Sequence, residues 1–244
     1  MNKESYKGLL RDHLDFSKAE RIQLKYSRKL ARMRSNSNYF EDKDYKIIVG
    51  VDVHYFKERQ RDMGIACAIF WDVSKKSIIE SSFAKMEIQI PYKPGFLGFR
   101  EAKVINHAIR QSKIKADLLM CDGHGIVHPR SFGEAVHLGL TLDLPSMGIA
   151  KNPFIGFSSW KSLEKIKGAK TPIWLKDPQS HSSNNKILGY AICLADSKKP
   201  VFISIGYKIS IEKAISIALE TTNIHRQPEP LFLADKFARE FKEK

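Results

Sequence analysis

Three acidic residues stand where runs of regular structure are expected to stop, and they are the residues best suited to chemistry. Asp52 interrupts the apolar run IIVGVDV, Asp122 ends the run LLMCDG, and Glu101 follows a segment rich in proline and glycine. An ionised carboxylate within an apolar strand is costly unless it is paired or bound to a metal. Two such acids on neighbouring strands would face each other at a distance that a metal ion bridges. Oxygen ligands select hard cations such as Mg²⁺ or Mn²⁺, and two such ions clamp the attacking and leaving oxygens of a phosphodiester.

Each acid taken singly has a simpler explanation as a residue that caps a turn at the end of a strand. Asp122 precedes Gly123, and an aspartate before a glycine is typical of turns. For Asp52 and Asp122 together, in a basic chain with this order of strands, the metal-binding interpretation is favoured.

Two histidines and a cysteine lie around Asp122 in the stretch CDGHGIVHPR, residues 121–130. The spacing of His124 and His128 suits zinc only if both lie on a helix, and the neighbouring glycines and proline favour a loop. The sequence offers no third soft ligand at a suitable spacing. Cys121 lies in an apolar run that is expected to bury it, which argues against a cysteine nucleophile.

The glycines and the arginine of this stretch suggest a ligand pocket instead. Gly123 and Gly125 would let the backbone approach a ligand closely. Arg130 and the start of the helix expected at 131–144 would offer a phosphate contact.

The charge of the whole chain favours a polyanionic partner. The 244 residues include 41 Lys+Arg and 27 Asp+Glu, which gives a formal net charge of +14. Such a surplus suits nucleic acid; the alternative is a lysine-rich surface that only solubilises the protein. The basic segments 1–40 and 156–187 could extend a binding surface or serve solubility alone.

Cysteine usage and hydropathy predict a cytoplasmic protein, with the nucleus as the alternative compartment. The three cysteines are far apart in apolar runs and are expected to be buried free thiols. We expect no secretory signal and no membrane span, since the N-terminus has no apolar core and no apolar run is long enough. We also expect a monomer.

Hydrophobic patterning predicts an α/β protein of one domain, residues 1–244. The predicted strands are 45–56, 63–73, 76–90, 116–123, 145–151, 186–194 and 201–206. The predicted helices are a basic surface helix at 17–33 and helices at 99–112, 131–144, 210–222 and 229–242. Ser131 and Glu134 have the spacing of a capping box. An antiparallel meander followed by βα units implies a mixed sheet with helices on both faces.

Several of these stretches resemble the endonuclease V family, nucleases that act at inosine in nucleic acids. The resemblance covers most of the chain and is carried by GVDV, PYKPGFLGFREA, CDGHGIVHPRSFGEAVHLGL, PSMGIAKNP and PEPLFLADKFA. It implies a ribonuclease H-like fold, which agrees with the predicted order of strands. It also implies hydrolysis of the second phosphodiester bond 3′ to inosine in DNA repair, with Mg²⁺ or its substitute Mn²⁺. Single-stranded RNA that contains inosine stays open as a substrate.

The resemblance also assigns roles to individual positions. Asp52 and Asp122 match the metal-binding aspartates, and Glu101 matches the catalytic glutamate, a third carboxylate for the metal site. PYKPG matches the wedge loop, in which Tyr92 would fill the gap left by a base turned out into a pocket. Lys151 matches a lysine near the scissile phosphate. The resulting nucleic-acid-binding residues are Pro91, Tyr92, Pro94, Gly95, Leu97, Gly123, His128, Arg130 and Lys151.

Two positions depart from the family pattern. Tyr207 stands where the family usually has a histidine, and tyrosine is a poor base and metal ligand near neutral pH, although it could hydrogen-bond a metal-bound water. Lys93 stands in the wedge segment where the family more often has an apolar residue, and its charge could contact a phosphate of the nucleic acid. The Tyr207 departure motivates an alternative function, a protein that binds inosine-containing or branched DNA with weak or no cleavage. A less specific ribonuclease H-like nuclease is a third hypothesis. The wedge segment PYKPG and the pocket stretch CDGHGIVHPR argue against it, because a non-specific nuclease needs neither.

Overall fold

A computed structural model gives the fold and describes residues 8–10, 13–41, 43–180 and 185–242. The strands are β1 (Ile47–Glu58), β2 (Arg61–Asp72), β3 (Ser77–Glu87), β4 (Leu118–Cys121), β5 (Ser146–Ala150), β6 (Lys170–Trp174), β7 (Ile187–Ile192) and β8 (Val201–Tyr207). The α-helices are α1 (Phe16–Arg34), α2 (Leu97–Gln111), α3 (Glu134–Leu142), α4 (Ile211–Glu220) and α5 (Glu229–Lys242). Short 3-10 turns lie at Ser37–Tyr39, Trp160–Ser162 and Pro178–Ser180.

The strands form one mixed sheet in the order β3-β2-β1-β4-β5-β8-β7-β6. β1, β2 and β3 make the predicted antiparallel meander, and β4 and β5 run parallel to β1. β8, β7 and β6 complete the sheet with antiparallel pairing. The predicted mixed sheet is therefore confirmed. The sequence analysis missed β6, a short edge strand whose segment KTPIW contains a proline, a residue that edge strands tolerate.

Helices cover both faces of the sheet, as predicted. α2 and α3 pack on one face, where Val49, Val51 and Val53 of β1 join the apolar residues of those helices. α4 and α5 pack on the other face. Since side chains alternate along a strand, Asp52 shares the α5 face with Ile48 and Gly50.

Gly50 allows α5 to approach β1 closely. A Cβ added at Gly50 would lie 2.5 Å from the carbonyl carbon of Pro230, near the start of α5. Any larger residue would push this helix away from the sheet. The position of α5 over Asp52 thus depends on a residue without a side chain.

The predicted N-terminal surface helix is confirmed. It is α1, and the Asp15 side chain caps its start by accepting a hydrogen bond from the Ser17 amide. Residues 1–7 and 11–12 of the predicted segment 1–40 lie outside the described residues, as do residues 181–184 of the segment 156–187.

The predicted capping box is wrong. Ser131 has a positive φ of 48°, and α3 begins only at Glu134 with Gly133 as its N-cap. The Glu134 side chain points into the protein instead of capping the helix, and it is buried.

Cys67, Cys121 and Cys193 are buried free thiols, as predicted. Within the described ranges, no helix is long and apolar enough to cross a membrane.

His137 of α3 is a buried core histidine. It is fully buried, packs between Phe99 and Phe132 at ring-centroid distances of 4.6 and 5.7 Å, and its Nε2 lies 2.9 Å from the Leu9 carbonyl oxygen. Burial lowers the pKa of His137 to about 4, although the hydrogen bond to Leu9 opposes this shift. The folded protein therefore holds the ring neutral.

This gives a prediction for stability against pH. The pKa of His137 is lower in the folded chain than in the unfolded chain. The stability that the neutral ring contributes is therefore fully present above about pH 6.5 and is lost as the pH falls towards 4. When the pH is lowered from 7 to 4.5, the free energy of unfolding, measured with urea, should fall by about 2 kcal/mol more for the wild type than for the His137→Gln variant. The exposed His107→Gln variant is the matched control and should follow the wild type. Equal losses for wild type and His137→Gln would contradict the assignment.

Candidate active site

Asp52 and Asp122 meet because β1 and β4 are parallel neighbours. Val51 pairs with Cys121, so Asp52 and Asp122 follow them at the same end of the two parallel strands. Glu101 reaches this end of the strands from α2, and its carboxyl group interacts with Asp52. The structure thus brings together the three acids that the sequence analysis selected.

Asp52 is held in its protonated form by its surroundings. Burial, followed by the negative charges of Asp122 and Glu101, raises the pKa of Asp52 to about 8. Its Oδ1 accepts a hydrogen bond from the Val53 amide at 2.8 Å, which fixes the carboxyl group but offsets only part of this shift. An isolated aspartate would be ionised at neutral pH.

Glu134 is a fourth carboxyl group in this cluster, and the sequence analysis did not assign it to the site. Burial, then the charge of Glu101 and a hydrogen bond between the two carboxyl groups, raises the pKa of Glu134 well above its usual value. Burial also raises the pKa of Glu101, although hydrogen bonds with Glu134 and Tyr55 oppose the shift. We infer that the two glutamates share a proton, which Glu134 donates to Glu101.

The remaining contacts of the two glutamates fix their positions. Tyr55 donates a 2.6 Å hydrogen bond to Glu101 Oε1, and the Arg100 guanidinium lies 4.5 Å from the centre of the Tyr55 ring. Glu134 Oε2 is buried, and within the part of the chain that the structure describes it has no hydrogen-bond partner.

Gly123 makes room for Glu134, which corrects our interpretation of the glycines as space for a ligand. A Cβ at Gly123 would lie 2.1 Å from Glu134 Oε2, and a Cβ at Gly125 would lie 2.0 Å from the Ile205 carbonyl oxygen. Both glycines therefore allow close packing within the protein. Gly123 still lines the cavity beside the cluster.

Positive charge reaches the cluster from two basic residues. Lys151, just after β5, places its Nζ 2.6 Å from Asp122 Oδ2. Burial alone would lower the pKa of Lys151, but Asp122 raises it overall. Arg226 donates hydrogen bonds to the carbonyl oxygens of Lys151 and Pro200, and so holds the chain that carries this lysine.

α5 contributes an aspartate that the sequence analysis also missed. Asp235 is close enough to raise the pKa values of both Asp52 and Lys151. Arg239 pairs with it through contacts of 2.8 and 3.2 Å. The only sequence signal was an acid within the helical stretch LADKFARE, which has the same pattern as an ordinary surface acid.

A cavity of about 320 Å³ opens beside Asp122 and Glu134. Its wall includes these predicted nucleic-acid-binding residues: Tyr92, Pro94, Gly95, Leu97, Gly123, His128 and Lys151. Tyr92 stands at the cavity with 68% of its surface exposed. Pro91 and Arg130 are absent from the wall.

The far wall of the cavity is aromatic and uncharged. Phe154 lies 5.6 Å from the His124 ring and 5.5 Å from the His128 ring, measured between centroids. Burial lowers the pKa of both histidines to about 4. Such a neutral wall suits a flat, uncharged aromatic ligand.

The carbonyl oxygen of Gly95 fixes the cavity mouth, because side chains from three places donate to it or contact it. Gln23 Nε2 of α1 lies at 2.9 Å, Arg130 Nη2 at 3.1 Å and His128 Nε2 at 3.0 Å. Gly95 itself has a φ of +83°, which favours glycine.

The prediction that Arg130 contacts a phosphate does not agree with this geometry. Arg130 also donates to Gln23 Oε1 at 2.5 Å and lies 3.6 Å from Glu20 Oε1. Its donors are used to brace the loop against α1. The start of α3 is likewise occupied, because the Gly133 and Ala135 amides donate to the Gly125 and His124 carbonyl oxygens.

Tyr207 lies away from the carboxyl groups. It pairs with Ser146 at the first residue of β5, whereas Lys151 follows the last residue of β5. Tyr207 is 2% exposed, and its hydroxyl donates to Asp143 Oδ1 at 3.0 Å. The hypothesis that Tyr207 hydrogen-bonds a metal-bound water is therefore wrong in this structure.

Lys93 of the wedge segment contacts aromatic rings. Its Nζ lies 4.5 Å from the centre of the Phe16 ring and 5.4 Å from that of Phe96. Whether it also contacts phosphate stays a prediction.

The donor set of the carboxylate cluster fits a hard divalent cation. Among the described residues, no group of three or more His, Cys, Asp and Glu side chains converges on one point as a metal cage. Burial and neighbouring carboxyl groups raise the pKa values of Asp52, Glu101 and Glu134, and Glu134 Oε2 has no hydrogen-bond partner among the described residues, so a divalent cation would offset the negative charge of the cluster. Carboxylate oxygens are the ligands that such cations prefer. Asp52, Asp122 and Glu101 are the residues that would hold it.

Comparison with known proteins gives consistent matches. The family model for Endonuclease V matches residues 28–236. Endonuclease V of Dictyoglomus turgidum is 40% identical over 213 residues, which are 86% of this chain and 87% of that protein.

Solved structures confirm the ribonuclease H-like fold that the sequence predicted. A crystal structure of endonuclease V from Bacillus subtilis has a TM-score of 0.82 and 26% identity, covering 96% of this chain and 95% of that chain. An endonuclease V variant from Ciona intestinalis has a TM-score of 0.75 and 25% identity, covering 95% and 99%. That protein is in complex with a 23mer DNA containing an inosine followed by a ribo-adenosine.

The raised pKa of Asp52 predicts how the metal-free protein responds to pH. Because this pKa is higher in the folded chain, the stability that it contributes is present below about pH 4 and is lost as the pH rises towards 8. The side chain that Asp52→Asn introduces cannot ionise. The free energy of unfolding of this variant, relative to that of the wild type, should therefore rise by roughly 2 to 4 kcal/mol between pH 5 and 8. Urea unfolding in EDTA measures this difference. Asp62→Asn, an exposed acid on β2, is the control, and a pH-independent advantage for Asp52→Asn would refute the burial of this charge.

Proposed function

The chain belongs to the endonuclease V family of nucleases, and from this premise we propose that it cleaves nucleic acid at inosine with Mg²⁺, or Mn²⁺ as a substitute. The proposed cut is at the second phosphodiester bond 3′ to the inosine, and the damaged base stays in place. The observation that carries the proposal is the cluster of Asp52, Glu101 and Asp122 directly beside the cavity that Asp122 and Glu134 line.

The residues of this chain divide the work as follows. Asp52, Asp122 and Glu101 would hold the cation, which when bound would stabilise the negative charge that develops at the scissile phosphate. Glu101, besides contacting the cation, accepts the proton of the attacking water, and burial raises its pKa, which makes its carboxylate a stronger base. Lys151 Nζ, next to Asp122, contacts the scissile phosphate.

The cavity accepts the base turned out of the stack. Its neutral wall of His124, His128 and Phe154 would pack against the ring of hypoxanthine, the base of inosine. Tyr92, the exposed side chain at the cavity, fills the space that the base leaves. Turning out the base is least costly where pairing is poor, as with inosine.

The alternative function, binding without cleavage, has Tyr207 as its motive. The placement of Tyr207 at the other end of β5 removes this motive.

The decisive experiment incubates the full chain with labelled duplex DNA that contains one inosine, with Mg²⁺ and, separately, with Mn²⁺. We expect one nick at the second bond 3′ to the inosine, and loss of at least about 100-fold in rate for Asp52→Asn and Asp122→Asn. Asp62→Asn should retain the wild-type rate. A matched strand without inosine must stay intact.

Other outcomes would decide against parts of the proposal. No nick with either metal would overturn the proposed cleavage. Equal cutting of the matched strand would favour the less specific nuclease. A second arm with inosine in single-stranded RNA measures the preference between the two substrates.

Tyr207 provides a separate prediction. Tyr207→Phe loses one hydrogen bond to Asp143 and should lower the free energy of unfolding by about 1 kcal/mol. Its cleavage rate should stay within about twofold of the wild type, since the site lies elsewhere. Tyr207→His, which restores the usual family residue, should bring no gain in rate. A tenfold gain would show that this position does act on the chemistry.

A further inference from the structure

α1 carries a continuous stripe of cations on its solvent face. The residues of this basic stripe are Lys18, Arg21, Lys25, Arg28 and Arg32, and all five are exposed. Their spacing of three and four residues places them in one row along the helix. The row lies on the opposite side of the helix from its buried residues Ala19, Gln23 and Leu30.

The stripe differs from an ordinary solvated helix face, and α5 shows the difference. On α5, Arg239 pairs with Asp235 and Lys236 with Glu240, each at i,i+4. On the stripe, Arg21 and Lys25, and likewise Arg28 and Arg32, place like charges at i,i+4, which destabilises a helix. Within the described ranges, the ion pairs include no member of the stripe, and the one exposed acid of α1, Glu20, faces Arg130 instead.

The stripe lies on the solvent side of the helix whose inner face contacts the wall of the cavity at the carboxylate cluster. Gln23, on the inner face of α1, donates to the Gly95 carbonyl oxygen at the cavity mouth and to the Phe132 carbonyl oxygen. Phe16 of α1 packs against Phe96 with 5.0 Å between ring centroids. A helix with its side chains is about 10–12 Å across, so the stripe lies about one helix diameter from the mouth.

We propose that this basic stripe is a second contact surface for the phosphodiester backbone of the nucleic acid whose inosine enters the cavity, an inference that rests on the proposed function. From Lys18 to Arg32 the stripe is about 21 Å long at 1.5 Å per residue. That length matches about six base pairs at 3.4 Å per pair. The contact is independent of sequence and strengthens binding of long substrates.

The test replaces three central cations with alanine, a good helix former that should keep α1 folded. The variant is Arg21→Ala, Lys25→Ala and Arg28→Ala together. The matched control removes three exposed lysines that precede β1 and β4 at the opposite end of these strands, Lys46→Ala, Lys113→Ala and Lys115→Ala. Both lose the same net charge, and thermal unfolding checks that both fold.

Binding is measured by fluorescence anisotropy in EDTA with an inosine-containing duplex of about 25 base pairs, long enough to reach from cavity to stripe. The slope of log Kd against log salt should fall by about 2.7 for the stripe variant, or about 0.9 for each phosphate that no longer meets a cation. Between 50 and 200 mM salt, this makes the affinity of the wild type fall about 40-fold further than that of the variant. The control should keep the wild-type slope.

Two outcomes would overturn the proposal: an unchanged slope for the stripe variant, or an equal fall for the control. Cleavage separates this result from the proposed function. At saturating protein the stripe variant should cut inosine at the wild-type rate, whereas failure of the wild type to cut would refute the proposed function and leave the salt slopes to decide on the stripe.

Discussion

Carboxyl groups held close together and partly or fully shielded from water impose the constraint on which the rest of this structure depends. Asp52, Glu101, Asp122 and Glu134 cannot all be ionised there, because burial and mutual repulsion oppose each additional negative charge. The protein relieves this in two ways on its own. Protons stay on some of the acids, and the Lys151 ammonium neutralises Asp122. A divalent cation would be a third way, and it would make the full negative charge tolerable.

The fold holds this arrangement from both sides of the sheet. The parallel pair of β1 and β4 sets the two aspartates side by side, while α2 and α3 bring the glutamates from one face. α5 brings Asp235 over the other face. The helices approach this closely because glycine takes the positions of contact, Gly50 against Pro230 and Gly123 against Glu134.

The sequence was most informative where chemistry and strand ends coincide. Asp52 and Asp122 could be predicted as a pair, because an acid that breaks an apolar strand has few stable surroundings. Glu134 and Asp235 could not, since an acid on an amphipathic helix has the same pattern whether it faces solvent or a buried cluster. The apparent capping box led us to predict that Glu134 caps α3, whereas its side chain belongs to the carboxyl cluster.

The sequence alone does not tell whether a strand runs parallel or antiparallel to its neighbour, so it does not show that the end of β8 with Tyr207 lies away from the carboxyl cluster. Likewise, Arg130 has the sequence pattern of a phosphate ligand, but its donors are used by Gln23 and Gly95. Sequence patterns identify the type of interaction that a residue favours. Packing then selects the partner.

The Gly95 carbonyl oxygen makes the shape of the cavity depend on α1. It joins α1, the wedge segment and the loop after β4 through hydrogen bonds that span 72, 35 and 33 residues of chain. The cavity mouth therefore has its final shape only when α1 is docked. Undocking of that one helix would open the mouth while the sheet stays intact, which makes α1 a local unfolding unit that controls the shape of the cleft.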